Sequence, residues 1–257
     1  MLRSGLSLPP PDLALAAASH SGEEMHVSRV RALLHSAGLS ESALRCPPAL
    51  ALSEAAAAAT LRAGGGPSQL QMNCSGKHAA MLLTCVAAGW PIEDYVEADH
   101  PLHKELRSAI EQLTGDDVTS VGVDGCGAPL YAVTLRGVAR AFSRLVTAAP
   151  GTPERMVADA MRSHPELVGG QGRDVTALMA GISGLVAKDG TEGVYVAALP
   201  SGAAVALKID DGAARARVPV LVRELRRLGA IGAVLDDLSE VLVLGGGHPV
   251  GAVRVAY

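Results

Sequence analysis

Apolar residues recur along this chain first with a helical period and then with a strand period. Residues 26–37 place Val27, Val30, Leu33 and Leu34 on one face, with Arg29, Arg31 and His35 elsewhere, and Gly38 supplies the expected stop. A shorter apolar run at 13–18 follows Pro9, Pro10 and Pro11. Residues 53–63 predict a helix broken by Gly64-Gly65-Gly66-Pro67, and 79–88 predict an apolar one. His100-Pro101 opens a more polar helix ending near Gly115, and 138–148 and 153–163 repeat the helical period. Later the pattern changes. Residues 193–199 and 203–209 are β-prone runs joined by Pro200-Ser201-Gly202, a hairpin signal. Residues 118–123 and 250–256 read as further strands, and 217–228 as an amphipathic helix. This order predicts an α+β architecture, an antiparallel sheet with helices gathered against it. We expect one domain over 1–257, helical over about 1–185 and sheet-forming over about 186–257.

Composition narrows the class. With 49% hydrophobic and 19% charged residues the chain reads as an ordinary globular protein, and with 2% aromatics its core must be aliphatic and closely packed. A formal net charge of −4 argues against a nucleic-acid or anionic-membrane surface, which needs clustered Lys and Arg. No uninterrupted apolar stretch reaches the roughly 18 residues of a membrane span. The four cysteines, Cys46, Cys74, Cys85 and Cys126, lack the spacing of a zinc ribbon or a redox CxxC pair. With no leader-like apolar run ahead of Pro9, a cytoplasmic location with reduced thiols is expected.

The lysines single out the chemistry. Of 22 basic residues only Lys77, Lys104, Lys188 and Lys208 are Lys. Arg stays charged, whereas a buried Lys can lose its proton and act as base or ligand. Lys77 falls in Asn73-Cys74-Ser75-Gly76-Lys77-His78, just before the apolar helix. A phosphate-binding loop is excluded, because Gln71 and His78 stand where it needs Gly and Ser or Thr. A Ser-x-x-Lys pair is absent too, since Cys74, Pro101, Leu185 and Val205 precede the four lysines at that spacing. Cys74 and Lys77 share a helical face at a helix N-terminus, where a thiol pKa falls, so a Cys74 nucleophile is one reading. A metal centre is another. Asp124-Gly125-Cys126-Gly127-Ala128-Pro129 forces a tight turn that presents a second thiol, and Cys74, Lys77 and Cys126 then suit zinc, with His78 offering an imidazole. Buried structural thiols are the third.

Several motifs occur together and in order: Ser19-His20-Ser21-Gly22-Glu23, the stretch 73–78, Asp124-Gly125-Cys126, His164-Pro165-Glu166, Gly172-Arg173, Leu185-Val186-Ala187-Lys188 and Leu207-Lys208-Ile209-Asp210-Asp211-Gly212. In these the chain resembles bacterial L-asparaginases of the thermolabile, rhizobial type, over about residues 14–212. The resemblance implies a fold similar to serine β-lactamases and glutaminases, and hydrolysis of L-asparagine to L-aspartate and ammonia. It implies zinc ligands at Cys74, Lys77 and Cys126, a carboxylate beside them at Asp124 on the substrate side, a catalytic Ser19 and a catalytic Lys188. Arg173, in a Gly-rich loop, is the candidate partner of the substrate α-carboxylate. The expected partner is a small molecule, L-asparagine, with neither nucleic acid nor membrane, and a homodimer is allowed. Glutaminase activity and a metal-binding chain without turnover are the alternatives. The resemblance also implies an upstream Arg-Ser-x-x-Lys segment and N-terminal strands with no counterpart here, Met1-Leu2-Arg3-Ser4-Gly5 matching the stretch just after them. The expectation is either a start assigned downstream of the true one or a shortened relative, with little turnover from the 257 residues, an unpaired strand edge and exposed apolar surface.

Overall fold

The computed structural model describes residues 1–256. Its helical part is built around one buried helix. Helix α1 (Pro10–Ala16), opened by its prolines, packs on α4 (Ser75–Ala88), as does α2 (Glu24–Ser36). In α4 every residue from Ser75 to Cys85 except Lys77 is buried, so small residues such as Ala79 and Ala80 let its neighbours close in. Helix α3 (Glu54–Arg62) is Ala-rich and buries no residue, consistent with a helix held by propensity and its Ser53 cap. Helix α5 (Pro101–Thr114) starts at the predicted His100-Pro101 and ends at Gly115, which has φ +68°.

A short hairpin interrupts the helices. Strands β1 (Val121–Val123) and β2 (Pro129–Tyr131) pair antiparallel and are mostly exposed, so only the end of the predicted strand at 118–123 forms. Helices α6 (Leu135–Thr147), α7 (Pro153–Ser163), α8 (Pro165–Val168) and α9 (Asp174–Gly181) follow; α8 and α9 lie where the sequence reads as loop or carries no strong period.

Strands β3 (Val186–Asp189), β4 (Val194–Ala198) and β5 (Ala204–Lys208) form an antiparallel sheet in that order. Its register sets Lys188 opposite Val196 and Asp189 opposite Tyr195. Helix α6 packs on β4 and β5, α9 on β3, and α10 (Arg217–Arg227) on β4 and β5. The observed α+β architecture therefore has the predicted 193–209 hairpin at its centre. After α11 (Val234–Asp237), β6 (Glu240–Gly245) and β7 (His248–Arg254) form a separate hairpin touching α10. Leu242, Val243, Leu244 and Val250 are exposed on it. No helix among the described residues is long and apolar enough to cross a membrane.

Candidate active site

Cys74 is the N-cap residue of α4, and Lys77 lies on the first turn. The turn between β1 and β2 is closed by Asp124 N–H donating to the Ala128 carbonyl (2.9 Å) and Gly127 N–H to the Asp124 carbonyl (2.8 Å). Gly127 takes φ +86° there, a conformation an L side chain resists. This turn carries Cys126 to α4. The sulfurs of Cys74 and Cys126 and a carboxylate oxygen of Asp124 all lie within 4.8 Å of one another. Lys77 Nζ is 3.2 Å from Cys126 Sγ and 3.4 Å from Asp124 Oδ2, and Cys126 Sγ is 3.2 Å from Asp124 Oδ2. The three residues singled out as a metal-binding set thus converge.

Charge divides unevenly between the two thiols. Cys126 is held well below the usual thiol range by a hydrogen bond from Cys74, with help from His78 and the Lys77 ammonium. Cys74, donating that bond and buried, is pushed up instead. Burial alone would lower the Lys77 pKa, but the two thiols and Asp124 outweigh it and raise it. The proton is thus favoured on Lys77 and Cys74 and disfavoured on Cys126.

The donor set fits zinc. Two thiols, an amine and a carboxylate meet in a half-buried recess, and tetrahedral zinc holds thiolates roughly 3.8 Å apart, within the observed spread. His78 borders this set without joining it: its Nδ1 is 2.7 Å from the Tyr95 hydroxyl, and its buried Nε2, on the ring that helps hold the Cys126 thiol down, makes no hydrogen bond of good geometry among the described residues. Cys46 and Cys85 are not part of this set; both are buried, and burial pushes each thiol up to about 11. An apolar groove of about 400 Å³, lined by Met81, Leu106, Ile110 and Phe142, also reaches Lys77.

The segment after α1 is fastened to the same helix end. At Gly76 a Cβ would stand 2.5 Å from the Leu15 carbonyl oxygen, so only glycine lets α1 end this close to α4. Three residues downstream of α1, Ser19 is half-buried, and its hydroxyl has no hydrogen-bond partner among the described residues. His20 N–H donates to the Asn73 carbonyl (3.0 Å), setting Ser19 beside Cys74's neighbour. The fully buried His20 ring completes the fastening. Gly22 N–H donates to its Nδ1 (3.1 Å), so the proton sits on Nε2, which donates to Ser75 Oγ (3.0 Å), and Ser75 donates to the Leu70 carbonyl (2.8 Å). Burial, then the charges of His26 and Lys188, hold the His20 pKa down at about 3. His20 is therefore neutral with both nitrogens engaged, and cannot serve as a base for Ser19.

Lys188 reaches this region from the sheet. Its Nζ donates to the Asp189 carbonyl (2.5 Å) and to Asp189 Oδ1 (3.2 Å). Burial lowers its pKa against the opposing pull of Asp189, and its charge is felt by His20 and reaches Cys74. Arg173, the N-cap residue of α9, donates to Asp189 Oδ2 (2.5 Å) and to Ser21 Oγ (3.4 Å). It is engaged in the interior rather than free at the surface. Sequence reasoning missed His20, Ser75 and Asp189 as contributors, although His20 and Asp189 flank the candidate residues Ser19 and Lys188.

Comparison with curated proteins finds no match. A model of the L-asparaginase II family matches residues 1–255, nearly the full chain and every residue of this site. The chain belongs to the L-asparaginase II family.

Proposed function

We propose that this protein hydrolyses the side-chain amide of L-asparagine, with Ser19 as nucleophile and Lys188 as its base, beside zinc held by Cys74, Lys77 and Cys126. Serine is a weak nucleophile without an adjacent base, and burial favours the neutral Lys188 amine that can take its proton. Ser19 Oγ attacks the amide carbon, and its proton passes through Lys188 Nζ to the departing nitrogen, which leaves as ammonia. Water, deprotonated by the same amine, then splits the ester, releases aspartate and restores Ser19. Arg173, preoriented by Asp189, meets the substrate α-carboxylate. Asp124 borders the centre from the β1–β2 turn and accepts from substrate or from Lys77. Zinc bound there supplies a fixed positive charge that favours thiolate ligands and anionic groups nearby. A buried helix bearing the thiol centre at its N terminus, together with an antiparallel sheet carrying the lysine, supports a serine β-lactamase-like arrangement as part of this reading.

The observation that carries the proposal is the fastening of the Ser19 segment to the end of α4 that bears Cys74 and Lys77, with Lys188 in electrostatic reach. The test is ammonia release from asparagine and from glutamine, alongside zinc stoichiometry. Ser19→Ala should lose turnover and keep zinc, while Cys126→Ser should lose zinc. Faster release from glutamine would make the chain a glutaminase. Full turnover by Ser19→Ala would sink the mechanism, and loss of activity on thiol alkylation with zinc retained would move the nucleophile to Cys74.

A further inference from the structure

Asp189 is the one acidic side chain buried among the described residues, with 6% of its surface exposed. A buried carboxylate costs several kcal/mol unless charges and hydrogen bonds compensate it. Here three basic side chains from three elements do so. Lys188 comes from the same strand, Arg173 from the start of α9 (2.5 Å) and Arg217 from the start of α10 (3.3 Å). Arg217 also lies 3.8 Å from Asp174, so two guanidinium groups and the Lys188 amine meet two carboxylates. Nor is the cluster fully satisfied. Among the described residues, the buried Tyr195 hydroxyl, on the residue opposite Asp189 in the sheet, makes no hydrogen bond of good geometry, with Asp174 near it, and the buried Arg217 Nε has no partner. A cluster serving stability alone would be expected to close its hydrogen bonds.

The position of the cluster gives it a second meaning. Both oxygens of Asp189 are committed, one to Lys188 and the other to Arg173 and Arg217. These are the candidate base and the candidate carboxylate partner, brought together from the consecutive elements α9 and β3. We propose that Asp189 is a positioning residue: its buried carboxylate fixes the Lys188 amine relative to Arg173, so that one amino-acid substrate meets both. This rests on the amidohydrolase reading for what the two basic groups do, but the clamp itself is a property of the fold. The charged and titratable groups that act on Lys188 are Asp189 beside it, Arg173 from α9, Cys74 from α4 and His20 from the segment between α1 and α2.

The experiment titrates Lys188 by NMR in the full chain labelled with ¹³C-lysine. Only four lysines contribute, and the Lys188 signal is the one lost in Lys188→Arg. In Asp189→Asn the Lys188 midpoint should fall, because the carboxylate that most favours its charged form is gone. Where that variant turns over asparagine, kcat should drop by about a hundredfold with a smaller change in KM, the signature of a displaced reacting group. A folded Asp189→Asn whose Lys188 midpoint does not move overturns the proposal, even if its melting temperature falls. Should Asp189→Asn fail to fold, Arg173→Gln removes the competing cation and should raise the midpoint; an unmoved midpoint there overturns it equally. The titration needs no turnover, so a chain that releases no ammonia defeats the amidase reading while still testing Asp189.

Discussion

Gly76→Ala asks whether the approach of α1 to α4 sets the candidate nucleophile against the thiol centre. The new Cβ would stand 2.5 Å from the Leu15 carbonyl oxygen, 2.8 Å from Leu15 Cγ and 3.1 Å from its Cδ1. Ordinary non-bonded contacts lie at about 3.5 Å, so the end of α1 must retreat by roughly 1 Å. Its backbone oxygen cannot rotate away as a side chain would. Overpacking of this kind costs about 1–3 kcal/mol, and Ala regains up to about 1 kcal/mol of helix propensity, leaving roughly 1 kcal/mol of net destabilisation. For a chain of this size that lowers the melting temperature by about 2–4 °C. Activity should suffer far more, because a 1 Å misplacement of a reacting group costs about a hundredfold. The assay pairs thermal unfolding with asparagine turnover and zinc binding. Gly125→Ala is the control, since a Cβ there meets nothing within 4 Å and both readouts should hold. Unchanged turnover in a Gly76→Ala chain that melts lower would refute the link between helix approach and nucleophile placement. Unchanged melting would refute the clash itself.

Three other outcomes follow from the same geometry. His20 is neutral in the fold with a pKa of about 3, against 6.5 in the unfolded chain. The unfolded state thus binds the extra proton between those values, and stability should fall with acidification below pH 6.5 by about 1 kcal/mol per pH unit, with no loss above it; denaturant titrations of His20→Gln should give a shallower slope, and an equal slope would exclude His20 as the source. Cys74→Ser and Cys126→Ser should each abolish stoichiometric zinc binding by calorimetry, whereas Cys46→Ser and Cys85→Ser should keep it, and zinc should slow alkylation of only the first pair. On the β6–β7 hairpin, Leu244→Lys with Val250→Glu replaces two exposed apolar side chains; light scattering should show less self-association, with stability changed by no more than about 0.5 kcal/mol.

How much of this could be read from the linear chain depends on whether a feature is local. Helices α2, α3 and α5 were legible because their periods, caps and terminal glycines lie within one turn of the residues they govern. The hairpin of β4 and β5 was legible for the same reason, through Pro200-Ser201-Gly202. Strand β3 was not: four residues, nearly all buried, carry no alternation, and their pairing with β4 supplies the strand character. β2 is shorter still, and the predicted strand at 250–256 is observed as His248–Arg254, with β6 as an unread partner. The site divides in the same way. Cys74 and Lys77 announced themselves by one helical turn of spacing, and Cys126 by its glycine-flanked turn, but the clamp on Asp189 joins side chains from β3, α9 and α10. Each chemistry-bearing residue lies at the end of an element: Cys74 and Arg173 at N-caps, Ser19 between α1 and α2, Cys126 in a turn, Lys188 near the end of β3. Sequence marks where elements end, because prolines, glycines and capping side chains act locally. Which ends meet is decided by packing, here by a glycine that lets α1 touch α4 and by one carboxylate that gathers three basic side chains.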